Sequence, residues 1–252
     1  MAILDVSDWK VDDKRQISGT REKYWIIEPS SNKSFMFKIP TKNTGEAWAE
    51  KVASEIGKLI GLNMMDVQFG LRNNTLGVVA KKFTSGSDEF YEGGDLIISE
   101  VDDFNRYSLD NYYIHHILQA LSHFQLENAF ISIPVFDALI GNQDRHCDNW
   151  GIIQVKGQYV LAPIYDNGAS LGFNLNQDRL TKILEDERMF EAFTNRSYSL
   201  IGIQNKQKPK YLELLFELKK DYSEEIQNLI SKFTILNKTN IQNILDISLI
   251  LL

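Results

Sequence analysis

The densest cluster of polar side chains in this 252-residue sequence lies between Gly141 and Asn149, directly after an apolar segment. It contains Asp144 and Asp148, and Asp166 follows seventeen residues after Asn149. Phosphoryl transfer needs one carboxylate to orient a hydroxyl group, and an oxygen-donor pair to hold Mg²⁺ against phosphates. An Asp and an Asn five residues apart in one loop, with a second Asp after a following hairpin, can supply these groups. The spacing therefore indicates phosphotransfer chemistry.

Two segments of this region, Ile140–Asn149 (IGNQDRHCDN) and Ala162–Gly172 (APIYDNGASLG), carry the pattern. Together they resemble the catalytic and metal-binding segments of HipA-type serine/threonine kinases. The more distant phosphatidylinositol kinases share the first segment in similar form. The resemblance implies that Asp144 is the catalytic base, that Asn149 and Asp166 bind Mg²⁺, and that Asn149 also belongs to the catalytic set.

Three upstream segments extend the resemblance. Ile17–Lys23 (ISGTREK) is similar to the family's phosphate-binding loop, in which backbone N–H groups bind phosphate oxygens around one central glycine. Phe37–Pro40 resembles the strand with the family's phosphate-contacting lysine, here Lys38, and Glu50 matches the helix glutamate that pairs with it. The residues that the resemblance implies for nucleotide binding are Ser18, Gly19, Thr20, Lys23, Lys38, Glu50, Lys81, Lys82, Phe83 and His146.

The resemblance implies an enzyme that transfers phosphate from ATP, with Mg²⁺, to a Ser or Thr hydroxyl of a protein substrate. It also implies autophosphorylation and a partner such as an antitoxin or another regulatory protein. Two alternatives stay open. A lipid or small-molecule kinase would share the catalytic loop, although the sequence lacks the basic run that favours an anionic membrane surface. A pseudokinase-like module would bind nucleotide without turnover, but it has no need of a base such as Asp144.

The start of the chain departs from the full-length toxins of this family. The phosphate-binding segment begins at Ile17, so we expect a short, stand-alone form without the extra N-terminal subdomain. The family's regulatory serine, just before the phosphate loop, is matched here by Gln16. Ser18 and Thr20 are the nearest hydroxyl groups, and phosphate on either would crowd the nucleotide site. Inhibition by phosphorylation of Ser18 is therefore a hypothesis.

Neighbouring residues compete for roles in the catalytic loop. Asp148 could act in place of Asp144, but the matched pattern puts the base first, so we expect Asp148 to be solvated or to brace the loop. A zinc site or a cysteine nucleophile at His146 and Cys147 is disfavoured, because the chain has a single cysteine and its other histidines are scattered. We expect His146 to brace the loop by hydrogen bonding and Arg145 to pair with a carboxylate.

The lysine and the glutamate also have competing interpretations. Lys38 alternates with Phe35 and Phe37, so on a strand its side chain points away from both aromatic rings. If that face covers nucleotide, Lys38 lies in the cleft rather than in water. Glu55 falls near the apolar stripe of the predicted helix and would need a partner if buried. Glu55 is therefore the second choice after Glu50 for the pairing with Lys38.

Hydrophobic periodicity predicts the elements that must position these residues. The expected strands and helices are strands 23–27 and 34–39, a helix 44–60 stopped by Gly61, strands 66–71 and 76–83 joined by a hairpin-like turn at Asn73 and Asn74, a helix capped by Asp110, a helix from Ser132 to residue 140, strands 150–154 and 159–162, and helical structure over 209–233. Strands thus dominate the first third of the chain and helices the rest.

The predicted fold class is α+β, a two-lobed protein-kinase-like fold. A small β-rich N-lobe with one helix would span residues 1–83, and a larger, mainly helical C-lobe would span 109–252. Residues 84–108 are rich in Gly, Ser, Asp and Glu, which predicts a linker or irregular insertion. The apolar tail, 235–252, could pack on the lobe as a helix or bind a partner.

Composition excludes several classes of protein. Hydrophobic residues make up 43% of the chain, enough for a core, and the formal net charge of −7 argues against nucleic-acid binding. The single Cys147 excludes an intrachain disulfide framework. The N-terminus is not of the signal-peptide type, and no apolar stretch reaches the length of a membrane span. These features predict a cytoplasmic protein, with export by a route that uses no cleavable signal left open.

Overall fold

The computed structural model describes residues 3–13, 22–204 and 206–249. Its N-terminal part, the N-lobe, is one sheet with strand order β1-β5-β6-β4-β3-β2 and one helix, α1. The sheet is antiparallel except for the pair of β1 and β5. Its elements are β1 Leu4–Asp5, β2 Lys10–Val11, β3 Lys23–Ile27, β4 Ser34–Lys38, α1 Glu46–Leu59, β5 Val67–Arg72 and β6 Thr75–Lys81.

Alternation along β4 separates the two faces of this sheet. Phe37 is fully buried on the outer face with Val6 and Trp9 of the N-terminal segment. Met36 packs on the opposite face, which α1 covers, and Lys38 lies on that same side by the period of two. The predicted separation of Lys38 from the phenylalanines is therefore confirmed.

Strands β5 and β6 are joined by Asn73 and Asn74, whose φ angles of 48° and 63° are the left-handed values of a tight hairpin turn. This agrees with the predicted turn. The short strands β1 and β2 were not predicted, because a strand of two residues has no periodicity to detect.

The C-terminal part, the C-lobe, is mainly helical with a small sheet of order β7-β8-β9. Its elements are β7 Glu89–Glu92, α2 Gly93–Ile98, α3 Ile114–Ser122, α4 Glu127–Phe130, α5 Ser132–Ile140, β8 Gly151–Val155, β9 Gln158–Leu161, α6 Gln177–Glu185, α7 Glu187–Thr194, α8 Tyr211–Leu218, α9 Ser223–Lys232, a 3₁₀ turn Phe233–Ile235 and α10 Lys238–Leu249. The predicted α+β fold with a β-rich first part and a helical second part is confirmed.

Residues 84–108 correct one prediction. This segment was expected to be a linker or irregular insertion, but it contains β7, which pairs with β8, and α2. Gly93 packs against Trp150, and a Cβ at this position would lie 2.1 Å from the indole ring. Gly93 is therefore needed for close approach to a buried tryptophan.

Helix α3 begins at Ile114, four residues later than the predicted cap at Asp110. Leu109 and Asn111 have φ angles of 59° and 61°, which an α-helix of L-residues cannot accommodate. The turn that they form therefore excludes Asp110 from the helix.

The two lobes share their largest core. Val52 and Ile56 of α1 join a cluster of buried side chains from the C-lobe, and Ile244 of α10 lies in the same cluster. Helix α10 packs against α1, so the described part of the tail lies on the N-lobe helix. Among the described residues, no helix combines the length and the apolar character that crossing a membrane requires.

Candidate active site

A cleft of about 520 Å³ lies between the N-lobe sheet and the loops of the C-lobe. It is lined by strands β3, β4 and β6, by α1, and by the loops that follow α5 and β9. The residues predicted from the sequence that line it are Lys23, Lys38, Glu50, Lys81, Lys82, Phe83, Asp144, His146, Asn149 and Asp166. The remaining predicted ones, Ser18, Gly19 and Thr20, lie outside the described residues.

The loop that carries Asp144 begins where α5 ends. Gly141 closes the helix in the left-handed conformation, with φ 63°. The side-chain amide of Asn142 then donates to Asp137 of α5 at 3.0 Å. The main-chain carbonyl oxygen of Asn142 accepts from the Tyr211 hydroxyl at 2.5 Å. Its amide oxygen accepts from the main-chain N–H of Asp144 at 3.1 Å. The backbone position of Asp144 is therefore fixed by buried neighbours.

The same loop folds back on itself between Asp144 and Asn149. The Asn149 side-chain amide donates to the carbonyl oxygen of Asp144 at 2.6 Å. The main-chain N–H of His146 donates to the same carbonyl at 2.9 Å. Because the amide nitrogen of Asn149 is used in this bond, its Oδ1 atom is the one that can bind a cation.

Arg145 joins this loop to the one that carries Asp166. Its guanidinium is fully buried and donates to both carboxylate oxygens of Asp137, at 2.9 and 2.8 Å. It also donates to the carbonyl oxygens of Asn149 at 2.6 Å and Tyr165 at 2.7 Å, and to the side chain of Asn167 at 2.7 Å. The predicted carboxylate partner is Asp137, which sequence reasoning did not identify. An Asp inside an otherwise apolar helix was the available signal.

Asp166 occupies a strained position where the two lobes meet. Its φ of 56° is left-handed, a conformation that Asp tolerates better than most residues and that recurs at functional sites. Lys38 Nζ lies 3.2 Å from its Oδ1 atom. Gly168 packs closely against α1, because a Cβ there would lie 3.3 Å from the main-chain oxygen of Glu46.

Glu50 is the carboxylate that α1 presents to the cleft. It is buried, and its Oε1 atom has no hydrogen-bond partner among the described residues. Burial raises the pKa of Glu50, while Lys38 and the main-chain N–H of Asn167 oppose the rise. Glu55, the second choice, instead binds Lys51 at 2.8 Å and does not line the cleft.

Asp148 is held by Arg106, whose Nε donates to its carboxylate at 2.7 Å. Arg106 also pairs with Asp95 at 2.9 Å and with Glu92. Burial and the nearby charge of Asp148 raise the pKa of Glu92, which lines the cleft. Asp148 thus has the arrangement of a loop-bracing residue. Arg106 and Glu92 were missed because they come from the segment predicted as a linker.

His146 and Cys147 do not have the features of a thiolate site. The His146 ring accepts from the main-chain N–H of Asp148 at 3.2 Å, which braces the loop. Burial, reinforced by the Asp148 charge, raises the pKa of the Cys147 thiol. Donor atoms of His146, Cys147 and Asp148 lie within 4.8 Å of one another, but the raised pKa disfavours the thiolate and Asp148 is bound to Arg106. Neither a metal nor a nucleophile is assigned here.

Aromatic side chains form one end of the cleft. The rings of Phe83 and Phe90 are 5.4 Å apart, and Tyr165 lies 5.7 Å from Phe83. The main-chain N–H groups of Lys81 and Lys82 are already used in bonds to the carbonyl oxygens of Asp66 and Ser34. These two groups therefore cannot donate to a ligand. Phe90 and Tyr165 were not predicted.

The sequence matches a known family over most of its length. The family described as "HipA-like C-terminal domain" matches residues 15–213. A curated relative, serine/threonine-protein kinase CtkA of Helicobacter pylori strain J99, is 25% identical over 240 residues, which cover 85% of this chain and 70% of the relative.

Solved structures show the same fold. The crystal structure of the Helicobacter pylori proinflammatory kinase CtkA matches with a TM-score of 0.82 and 22% identity, over 97% of this chain and 87% of that one. HipA of Shewanella oneidensis MR-1, solved with HipB and operator DNA, matches with a TM-score of 0.59 and 12% identity, over 97% of this chain and 61% of that one. At these identities the likeness establishes the fold.

Proposed function

This chain belongs to the HipA-like C-terminal domain family, and from that premise we propose that it is an ATP- and Mg²⁺-dependent serine/threonine protein kinase. One observation carries the proposal. The carboxylates and the lysine that phosphoryl transfer requires come from distant parts of the chain and line a single cleft. The name of the relative CtkA, a serine/threonine-protein kinase, supports the choice of a protein hydroxyl as acceptor.

Asp144 is the base in this proposal. It lies in the cleft, and the bonds from its backbone to Asn142 and Asn149 hold it in place before a substrate binds. Its carboxylate orients the Ser or Thr hydroxyl and accepts the proton as the oxygen attacks phosphorus. Asp148 is less suited to this role, because its carboxylate is bound to Arg106.

Asn149 and Asp166 are the residues that would hold the metal. An amide oxygen and a carboxylate form an oxygen donor set of the kind that Mg²⁺ takes. When bound, Mg²⁺ would neutralise charge on the phosphates. Arg145 hydrogen-bonds to both loops, so it fixes the position of one donor relative to the other.

Lys38 would contact the phosphates, and Glu50 would orient Lys38. Lys38 Nζ lies 3.2 Å from Asp166, and the charges of Lys38 and Glu50 interact. The buried Oε1 of Glu50 has no hydrogen-bond partner among the described residues, which supports a role toward a charged group that the ligand brings into place. Phe83, Phe90 and Tyr165 offer flat surfaces for the nucleotide base.

Transfer from labelled ATP tests the proposal. The full chain and Asp144→Asn would be incubated with labelled ATP, Mg²⁺, a mixture of protein acceptors and lipid vesicles, and the labelled molecules and residues would be mapped. Label on Ser or Thr that disappears in Asp144→Asn is expected, with ATP binding kept. Label confined to lipid, or equal label in the variant, would refute the proposal. The same mapping tests autophosphorylation at Ser18 or Thr20, and an antitoxin or regulatory partner remains a prediction.

A further inference from the structure

A second cavity, of about 420 Å³, lies on the C-lobe beside the catalytic loop. Helices α6 and α7 form one side of it, and the loop residue Gln143 forms part of the other. Its lining residues are Gln143, Asn174, Arg179, Ile183, Met189, Ala192, Phe193, Arg196 and Tyr198. We refer to this cavity as the α6–α7 groove.

The groove is adjacent to the proposed base. Gln143 lines the groove, whereas the next residue, Asp144, lines the nucleotide cleft. Consecutive Cα atoms are about 3.8 Å apart, so the groove and the cleft meet at this point of the loop. The catalytic loop is thus shared by both cavities.

The charged side chains that line the groove are all positive. Helices α6 and α7 carry acidic and basic side chains, but the charged residues that line the groove are Arg179 and Arg196. Both side chains are exposed, and within the described residues neither guanidinium makes a hydrogen bond or an ion pair. Two such guanidinium groups beside an apolar floor fit a ligand with carboxylates.

Helices α6 and α7 also expose apolar surface. Leu184 is 68% exposed and Phe190 50%, and no residue of α7 is buried. Exposed large apolar side chains on the two helices that form the groove are typical of a surface that binds another chain.

We propose that the α6–α7 groove binds the segment of a protein substrate that carries the phosphoacceptor Ser or Thr, and that it selects acidic residues next to that hydroxyl. The inference rests on the proposed kinase function, because it places the acceptor beside Asp144. It names a substrate class: a flexible protein segment with Asp or Glu flanking the acceptor.

Peptide binding tests the groove without requiring catalysis. Two fluorescein-labelled peptides with a central Ser, one flanked by Asp and Glu and the other by Lys, would be titrated with the full chain and followed by anisotropy. We expect the acidic peptide to bind at least about tenfold more tightly, with an advantage that shrinks as salt is added. Equal binding of both peptides, or no binding of the acidic one, would overturn the inference.

Variants locate the binding. The double substitution of Arg179→Glu with Arg196→Glu should weaken binding of the acidic peptide by at least about tenfold. It should strengthen binding of the basic peptide, because the charge of the groove is reversed. Ala192→Trp should weaken both peptides by filling the groove. Arg188→Glu, on α7 but outside the groove, is the matched control and should change neither affinity. An equal loss in Arg188→Glu would overturn the assignment.

Labelled ATP then separates the two proposals. If the acidic peptide binds through the groove, but neither it nor the mixture of protein acceptors receives phosphate, the kinase function fails and the binding site stands. If the peptide is phosphorylated at the same rate by the charge-reversed variant, the kinase function stands and the groove assignment fails. A change of oligomeric state in Ala192→Trp without loss of peptide binding would identify a second copy as the occupant, and would also overturn the inference.

Discussion

The two walls of the cleft are held in opposite ways. On the C-lobe wall, the buried Arg145 binds Asp137 and reaches both functional loops through their carbonyl and amide oxygens. On the N-lobe wall, Glu50 is buried with an oxygen that has no hydrogen-bond partner among the described residues, and Lys38 reaches across to Asp166. Arg145 on the C-lobe wall thus has all its partners within the protein, whereas the N-lobe wall carries charged groups suited to bind a ligand.

The difference between the two walls shows which groups are held in position before a ligand binds. The proposed base and metal ligands lie on loops that the buried Arg145–Asp137 pair holds together, so these groups are in position before a ligand binds. The groups proposed to contact the nucleotide, Lys38 and Glu50, lie on a strand and a helix of the N-lobe. We therefore expect loss of the buried ion pair behind the C-lobe wall to affect folding, and changes at the side chains that line the cleft to affect activity more than stability.

The largest effect is expected from Arg145→Met. It leaves the carboxylate of Asp137 buried without its cation, and breaking a buried pair in this way costs about 3–5 kcal/mol. Urea unfolding of the variant beside the unchanged chain measures the loss.

Two further variants sharpen that result. Combining Arg145→Met with Asp137→Leu should recover part of the stability, because no buried charge remains. Arg179→Met, at an exposed arginine without a partner among the described residues, should shift stability by less than about 0.5 kcal/mol. Similar losses for Arg145→Met and Arg179→Met would show that the loss does not come from breaking the buried pair.

Asp166→Asn comes next and should leave the fold intact. Asparagine tolerates the left-handed backbone at this position, so the variant removes the carboxylate charge without adding strain. We expect transfer to fall by about 100- to 1,000-fold, as for loss of a major electrostatic contact. Transfer assays paired with thermal unfolding check this. Unfolding of Asp166→Asn under conditions in which Asp144→Asn stays folded would show that Asp166 contributes to stability and not to transfer alone.

Glu50→Gln should separate activity from stability. Because burial raises the pKa of Glu50 above its ordinary value of 4.5, the ionised carboxylate is unfavourable in the folded state. Its contribution to stability is present below the unfolded pKa and is lost as pH rises through the folded pKa. The variant should therefore be at least as stable as the parent above that value, with a flatter pH profile, and should transfer phosphate about tenfold more slowly.

Glu55→Gln is the matched control on the same helix. Burial opposes ionisation there too, but Lys51 and Lys58 lower the pKa of Glu55 overall. Its contribution is present above the unfolded pKa and lost as pH falls through the folded pKa, so the substitution should reduce stability at neutral pH. Transfer should be unchanged. A loss of activity in Glu55→Gln equal to that in Glu50→Gln would break the distinction between them.

The smallest effect is expected from Cys147→Ala. The thiol is buried and its pKa is raised, so it supplies neither a nucleophile nor a metal ligand. Activity should be kept, and stability should fall by about 1 kcal/mol for the lost packing. Loss of transfer with a normal unfolding curve would show that the thiol has a chemical role.

Local patterns predicted much of the N-lobe and the identity of the cleft residues. The period of two along β4 predicted the face of Lys38, and the asparagine pair predicted the β5–β6 turn. Both features depend on neighbours within a few residues, where sequence and geometry are tightly linked.

Residues that act through distant contacts could not be predicted in this way. Arg106 hydrogen-bonds to Asp148, which is 42 residues away in the sequence, and Tyr211 to Asn142, which is 69 residues away. The composition of 84–108 resembled a linker, yet its strand and helix form by pairing with β8 and packing on Trp150. Such elements take their structure from partners that local propensity does not reveal.

The sequence by itself determined the types and order of the chemical groups: an Asp and an Asn in one loop, a later Asp, a strand lysine and a helix glutamate. The tertiary structure decided which carboxylates face the cleft. It left Glu50 in the cleft and Glu55 outside it, it bound Asp148 to Arg106 although Asp148 lines the cleft beside Asp144, and it brought Arg179 and Arg196 to one groove. The physical reason is that the role of a charge depends on its burial and on its partners, and both are fixed only when distant segments pack.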